Sequence, residues 1–102
     1  GDVAGAEQVL LLIEQDGNGI TSETYNYVIH ACATAQDTSR AEFHLDRMKK
    51  LGFDPNLMSY NSVINAYAAV GDAVGAEAWI GRMVQNGVQP SQVTYGTLCK
   101  VL

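Results

Sequence analysis

The 102-residue sequence has little of what several large classes of protein require. No apolar run approaches the roughly 18–20 residues that span a bilayer, and no charged-then-apolar leader is visible. The two cysteines, Cys32 and Cys99, show neither metal-ligand spacing nor a pairing pattern. Six Lys and Arg stand against eleven Asp and Glu, and this net charge of −5 argues against a strong, nonspecific nucleic-acid binder. We therefore expect no membrane segment and reduced thiols.

Catalytic and ion-binding arrangements are missing as well. His30 and His44 fall on different predicted helices with no acid or nucleophile at a useful spacing, so both are interpreted as surface or partly buried histidines. The segment that begins at Glu14 resembles the start of a calcium loop, but its twelfth residue is Tyr25 instead of a bidentate carboxylate. The sequence therefore predicts no enzyme, no cofactor and no metal site.

The sequence does contain a unit that recurs every 35 residues. Residues 22–56 and 57–91 are identical at 13 of 35 positions in an alignment without gaps. The same step relates Tyr25-Asn26 to Tyr60-Asn61, Met48 to Met83, Gly52 to Gly87, Pro55 to Pro90 and Tyr60 to Tyr95. A fixed period without insertions predicts a stacked-repeat architecture, because no single unit can bury its own apolar face.

Each unit has the pattern of two helices. Asp2 and Asp37 are candidate N-caps, and the glycine-containing cluster 16–19 is a candidate helix end. The predicted helices span residues 1–16, 22–34, 37–51, 57–69, 72–86 and 92–101, with no strand. As one domain, the chain divides into a second helix of a partial repeat (1–21), two complete repeats (22–56 and 57–91) and a first helix of a partial repeat (92–102).

Apolar residues at helical spacing mark the face that each helix is expected to bury. In the first complete repeat these are Tyr25, Val28, Ile29 and Cys32 on one helix and Ala41, Leu45 and Met48 on the other. Ala6, Ala41 and Ala76 recur at the step of 35 and are expected where helices cross closely. Asp46 and Lys50 are four residues apart, a spacing that predicts an ion pair worth about 0.3 kcal/mol.

The sequence resembles the pentatricopeptide repeat family over its whole length. The family's 35-residue unit opens with a hydrophobic-Thr-Tyr-Asn-type helix and closes with Met-x-x-x-Gly-x-x-Pro. The matching segments are Ser59-Tyr60-Asn61, Gln92-Val93-Thr94-Tyr95 and the two closing runs at 48–55 and 83–90. The tetratricopeptide repeat, which steps by about 34 residues, needs a Trp–Leu-Gly–Tyr pattern that is absent here.

The resemblance implies an all-α solenoid of helix-turn-helix repeats that forms a right-handed superhelix, with the first helices lining a concave groove. It also implies sequence-selective binding of single-stranded RNA, one base per repeat, in the processing, stability or translation of organellar RNA. The expected location is therefore a mitochondrion or a plastid.

The resemblance also assigns residues to the RNA. Base readers are the residue after the opening Tyr and the last residue of the repeat, which pairs Asn26 with Asn56 and Asn61 with Ser91, and leaves Gly96 in the final partial repeat. The first pair implies a reader of pyrimidines with little choice between cytosine and uracil, and the second implies a leaning to cytosine. One turn earlier, Met58 and Val93 fit the family's apolar wedge between bases, and Glu23 does not.

Other interpretations of these residues stay open. Asn26 and Asn61 are also typical of solvated positions on an open helix face, and Asn56 and Ser91 directly precede helices, where both residue types act as N-caps. The two complete first helices contain no Lys or Arg, whereas phosphate binding normally needs cations. A protein-interaction scaffold is therefore the alternative to RNA binding, with a protein as the partner. Exposed apolar surface on the terminal helices also predicts self-association.

Overall fold

The computed structural model describes residues 3–16 and 21–102, and this part of the chain forms six α-helices and no strand. The helices are α1 (Val3–Asp16), α2 (Ser22–Thr34), α3 (Thr38–Lys50), α4 (Leu57–Ala69), α5 (Ala73–Gln85) and α6 (Gln92–Val101). The all-α prediction is confirmed, and the bounds of α2, α4 and α6 agree with the sequence pattern to the residue. The cap expected at Asp2 and the helix end expected at 17–19 lie outside the described residues.

Short-range hydrogen bonds explain where the helices begin. Before each of α2 to α6, one side-chain oxygen accepts a hydrogen bond from the backbone N–H three residues later. This bond satisfies a donor that the first turn of a helix leaves without a partner. The capping residues are Thr21, Asp37, Asn56, Asp72 and Ser91.

Glycines end the second helix of each complete repeat. Gly52 and Gly87 have φ angles of 93° and 80°, in the region where a Cβ atom is strained. Their N–H groups donate to Lys49 and Val84 carbonyls, which closes the last turn. The prolines three residues later keep the chain from continuing the helix.

The core is the set of apolar stripes that the spacing predicted. The seven stripe residues of the first complete repeat are fully buried: Tyr25, Val28, Ile29, Cys32, Ala41, Leu45 and Met48. Burial raises the pKa of the Cys32 thiol to about 11, so this cysteine stays protonated and unreactive at neutral pH. Cys99 is a free, exposed thiol.

The helices form two layers whose spacing differs. The backbones of α2, α4 and α6 approach their neighbours within 8 Å, whereas those of α1, α3 and α5 do not approach one another so closely. A stack with one layer more closely spaced than the other curves toward the close layer. The first helices α2, α4 and α6 therefore line the concave face of a solenoid with dimensions of 43 × 28 × 18 Å.

Polar side chains bridge the wider gaps between the outer helices. Glu7 on α1 forms an ion pair with Arg40 at 2.6 Å and lies 2.7 Å from His44 Nε2, both on α3. The hydrogen bond from Arg40 and the contact with His44 hold the pKa of Glu7 below its usual value, although burial acts in the opposite direction. One repeat later Glu42 accepts hydrogen bonds from Trp79 Nε1 (2.7 Å) and the Tyr67 hydroxyl.

The ion pair expected within α3 is replaced by one between repeats. Asp46 lies 2.9 Å from Arg82 on α5, and the prediction of an Asp46–Lys50 pair was wrong. Arg82 also stacks on the Trp79 ring, 3.9 Å from its centroid, which fixes the guanidinium beside the carboxylate. This ion pair therefore bridges the gap between the outer helices α3 and α5.

Candidate nucleic-acid interface

The concave face presents a row of exposed side chains at the start of its helices. Met58 on α4 and Val93 on α6 are 63% and 67% exposed, and Glu23 on α2 is exposed as well. These three positions are related by the step of 35 and lie in the first turn of adjacent helices. Two apolar side chains therefore stand free at the spacing of adjacent repeats, where a flat aromatic group could lie between them.

Asn26 meets the N-cap of the next repeat. Its Nδ2 lies 3.4 Å from Asn56 Oδ1, and its Oδ1 accepts a hydrogen bond from the Ser59 hydroxyl. Asn26 is only 7% exposed, so it is not the solvated residue of an open helix face. The structure thus brings together Asn26 and Asn56, the first pair of predicted base readers, although 30 residues separate them in the sequence.

The second pair of predicted base readers has a related arrangement. Asn61 Oδ1 accepts a hydrogen bond of 2.6 Å from the Thr94 hydroxyl, and Thr94 in turn forms a capping box with Ser91. Asn61 is half-buried, and its Nδ2 has no hydrogen-bond partner among the described residues. Gly96 is exposed and, without a side chain, offers no such amide on α6.

An open cleft lies between α2 and α4 on this face. It has a volume of about 520 Å³ and is lined by His30, Met58, Asn61 and Asn65, among others. Asn65 Oδ1 accepts a hydrogen bond of 3.0 Å from Thr97 on α6. The amides at the fifth and ninth positions of this repeat are thus both held by hydroxyls of the next helix.

Asn56 and Ser91 also have the structural role that the sequence left open. Each caps its helix. In each case the backbone N–H of the capping residue also donates to the hydroxyl of the third residue of the helix. Capping fixes these side chains beside Asn26 and Asn61. A cap and a ligand contact are compatible, because the cap uses the side-chain oxygen and leaves the Asn56 NH₂ group without a partner among the residues described.

The cations of the chain lie mainly on the outer layer. No Lys or Arg occurs on α2 or α4, and Lys100 is the one on α6. Arg40, Arg47 and Arg82 are paired with carboxylates of neighbouring outer helices. The concave face therefore offers a ligand amides, hydroxyls and apolar side chains, with few positive charges.

Ser59 and Thr94, the hydroxyl residues that hold the amides, were not predicted as site residues. Both are buried and both lie at the third position of a first helix. The signal was present, because a hydroxyl residue recurs at 24, 59 and 94, each three residues after a capping residue.

The two histidines lie in different environments. His44 is buried against Glu7, as described above, and His30 is exposed on the concave face. In the described ranges 3–16 and 21–102, no group of three or more His, Cys, Asp or Glu residues is placed to hold a metal ion. Within the same ranges, no helix is both long and apolar enough to cross a membrane.

Comparison with protein families gives two matches that together span most of the chain. The model of the pentatricopeptide repeat domain matches residues 8–70, and the model of the PPR repeat family matches residues 55–102. A search of curated protein sequences gave no match.

Solved structures of three kinds resemble the chain. The pentatricopeptide repeat protein PPR10 from maize is 33% identical over 100% of this chain, with a TM-score of 0.85. PPR10 in complex with an 18-nt psaJ RNA element is 25% identical over 99% of the chain, with a TM-score of 0.87. The PPR domain of Arabidopsis thaliana protein-only RNase P 1 in complex with tRNA has a TM-score of 0.84 over 97% of the chain, at 22% identity, and shares the fold alone.

The chain is much shorter than these proteins. It spans 14% to 15% of the two PPR10 chains and 51% of the RNase P domain.

Proposed function

Because this chain belongs to the pentatricopeptide repeat family, we propose that it binds single-stranded RNA on the concave face formed by α2, α4 and α6. The observation that carries the proposal is the recurrence of one arrangement at a step of 35 residues. In each complete repeat an amide of the first helix is hydrogen-bonded to the capped first turn of the next first helix, and Asn61 also lines the open cleft. The structure of PPR10 in complex with an 18-nt psaJ RNA element, which resembles this chain, supports RNA as the ligand.

In this proposal each complete repeat holds one nucleotide. One base lies between Met58 and Val93, and its edge meets Asn61 and Ser91. The preceding base stacks on Met58 alone, because Glu23 is not apolar, and its edge meets Asn26 and Asn56. Stacking on a side chain is worth about 1–3 kcal/mol per base, whatever the base, so selectivity has to come from the amides and hydroxyls.

The proposed base preference is for pyrimidines. We assign cytosine or uracil to the repeat with Asn26 and Asn56, and a preference for cytosine to the repeat with Asn61 and Ser91. The family resemblance supports both assignments, and the placement of these side chains beside one another is consistent with them.

The shortage of cations on the concave face sets the expected strength. Two nucleotides with few phosphate contacts give an affinity on the order of micromolar or poorer. Since few counterions are released, the affinity should fall only slightly as salt concentration rises.

A role in binding instead of catalysis agrees with a face made of amides, hydroxyls and apolar side chains. By family resemblance we place the protein in a mitochondrion or a plastid, acting in RNA processing, stability or translation.

The proposal is tested by titrating labelled oligonucleotides at low salt. The parent chain should prefer cytosine- and uracil-containing strands to adenine tracts. Asn61→Ala should weaken cytosine binding about two- to tenfold, the equivalent of one lost hydrogen bond. Gln85→Ala, which removes an exposed amide from the outer helix α5, should change nothing and serves as the matched control.

A protein-interaction scaffold is the second candidate, and the absence of Lys and Arg from α2 and α4 favours it. If the parent chain binds no single strand at low salt but retains a protein partner, the scaffold replaces RNA binding.

We also propose that the isolated chain self-associates through α6, because Tyr95 is 53% exposed while Tyr25 and Tyr60 are buried. Sedimentation that gives only monomers at high concentration would contradict this.

A further inference from the structure

The orientation of the concave-face amides is fixed by backbone N–H groups of the following repeat. An amide side chain has a donor end and an acceptor end, and the two are told apart only by their neighbours. A backbone N–H can donate and cannot accept. A hydroxyl that accepts from such a group keeps one proton to donate, and the direction of its next hydrogen bond follows from which neighbour lies at the short distance typical of O–H···O.

In the first complete repeat these hydrogen bonds start at the cap of α4. The backbone N–H of Asn56 donates to Ser59 Oγ, and the backbone N–H of Ser59 donates to Asn56 Oδ1, each at 3.1 Å. Ser59 Oγ therefore acts as an acceptor toward the cap, and its own proton remains available. Of its two neighbouring acceptors, Asn26 Oδ1 is closer than Asn56 Oδ1. The hydroxyl thus donates to Asn26, and the oxygen of that amide faces the protein.

The second complete repeat has the same directions with different residues. The backbone N–H of Ser91 donates to Thr94 Oγ1 at 3.1 Å, and that of Thr94 donates to Ser91 Oγ at 3.3 Å. The Thr94 hydroxyl then donates to Asn61 Oδ1 at 2.6 Å, closer than the Ser91 hydroxyl at 3.2 Å. Thr94 is 1% exposed, so water does not compete for this bond.

We infer that Ser59 and Thr94 are positioning residues that hold Asn26 and Asn61 with the amide oxygen toward the protein and the NH₂ group available to a ligand. The inference rests on the proposed function and explains its selectivity. The Asn61 amide then presents only its donor end to the base. The site at Asn26 does so more weakly, since its NH₂ group also lies 3.4 Å from Asn56 Oδ1.

An amide that only donates distinguishes the two pyrimidines where it faces N3 of the base. N3 of cytosine is an acceptor, whereas N3 of uracil carries a proton and would face the NH₂ group donor to donor, which leaves only O2 and O4 of uracil as acceptors. Cytosine is therefore favoured at Asn61. If the amide were free to rotate, its oxygen could accept the N3–H of uracil and the preference would disappear.

The test compares two variants of the buried hydroxyl. Thr94→Val keeps the shape of the side chain and removes the hydroxyl, while Thr94→Ser keeps the hydroxyl. The probe is a pair of short adenine strands that differ by one cytosine or one uracil. The parent and Thr94→Ser should favour the cytosine strand by about two- to tenfold, the effect of one net hydrogen bond, and in Thr94→Val the ratio should fall to about one. A ratio in Thr94→Val equal to that of the parent overturns the inference, as does a parent ratio of one.

A second measurement needs no RNA. In nuclear magnetic resonance spectra of the free chain, the Asn61 side-chain NH₂ signals should report a rigid amide in the parent and in Thr94→Ser, and a mobile one in Thr94→Val. If the Asn61 amide is equally mobile in all three chains, the inference is overturned, whether or not the chain binds RNA. If the mobility differs as expected but the chain binds no RNA, only the proposed function is overturned. If thermal melting shows that Thr94→Val does not fold, Ser59→Ala against Ser59→Thr makes the same comparison at Asn26.

Discussion

Removing the carboxylate of Glu42 should destabilise the chain because it leaves a buried donor without a partner. Glu42 on α3 accepts hydrogen bonds from Trp79 Nε1 at 2.7 Å and from the Tyr67 hydroxyl. Trp79 is 3% exposed, so its N–H cannot turn to water once the carboxylate is gone. Tyr67 is only half-buried and can be solvated in part.

The magnitude follows from these two donors. An orphaned buried donor costs about 1–3 kcal/mol, and the loss of one further, partly exposed hydrogen bond costs about 1 kcal/mol. We therefore expect Glu42→Ala to lower the free energy of unfolding by about 2–4 kcal/mol. For a chain of this length that corresponds to a melting temperature lower by at least about 8 °C.

Glu77→Ala is the matched control. Glu77 occupies the same position one repeat later, but it is exposed and has no hydrogen-bond or ion-pair partner among the described residues. Its substitution should change the free energy of unfolding by less than about 0.5 kcal/mol. Because Trp79 is the single tryptophan, its fluorescence reports unfolding directly.

A double-mutant cycle isolates the bond itself. Trp79→Phe removes the donor, so adding Glu42→Ala to it should cost less than Glu42→Ala does in the parent chain, by about 1 kcal/mol or more. Additive effects, or equal losses in Glu42→Ala and Glu77→Ala, would refute the reasoning.

Three further predictions concern stability. Tyr25→Phe should lower the free energy of unfolding by about 1.5–3 kcal/mol, because the Tyr25 hydroxyl donates to the Glu14 carboxylate at 2.9 Å. Tyr60→Phe should be neutral or stabilising, because the buried Tyr60 hydroxyl has no partner among the described residues. Equal losses in urea unfolding would contradict this. The guanidinium beside Glu7 lowers the pKa of Glu7, so its contribution is present above pH 4.5 and is lost as the pH falls through the lowered value. Glu7→Gln should thus lower the free energy of unfolding at pH 7, and that free energy should then fall less on acidification than it does in the Glu77→Gln variant. Ala76→Leu, at a fully buried position, should cost about 1–3 kcal/mol by overpacking, while an alanine-to-leucine change on the exposed face of α5 should not.

The helices and the buried stripes were determined by the sequence alone. Caps such as Asp37 act on a backbone N–H only three residues away, and the glycines that end α3 and α5 act within one turn. The stripe that contains Tyr25 and Cys32 needs only the 3.6-residue period of a helix. Interactions of such short range are readable from spacing, and the period of 35 then extended them to the whole stack.

The partners of polar side chains were decided by the tertiary structure. Asp46 pairs with Arg82, 36 residues away, although Lys50 is closer in sequence, and the hydroxyl of Ser59 reaches Asn26 across 33 residues. Equivalent positions in the two repeats also differ in their contacts. The hydroxyl of Tyr25 donates to Glu14, but the position 35 residues after Glu14 is Lys49. Such contacts depend on how closely and at what rotation one repeat lies on the next. That geometry results from the packing of the whole core, so no local pattern specifies it.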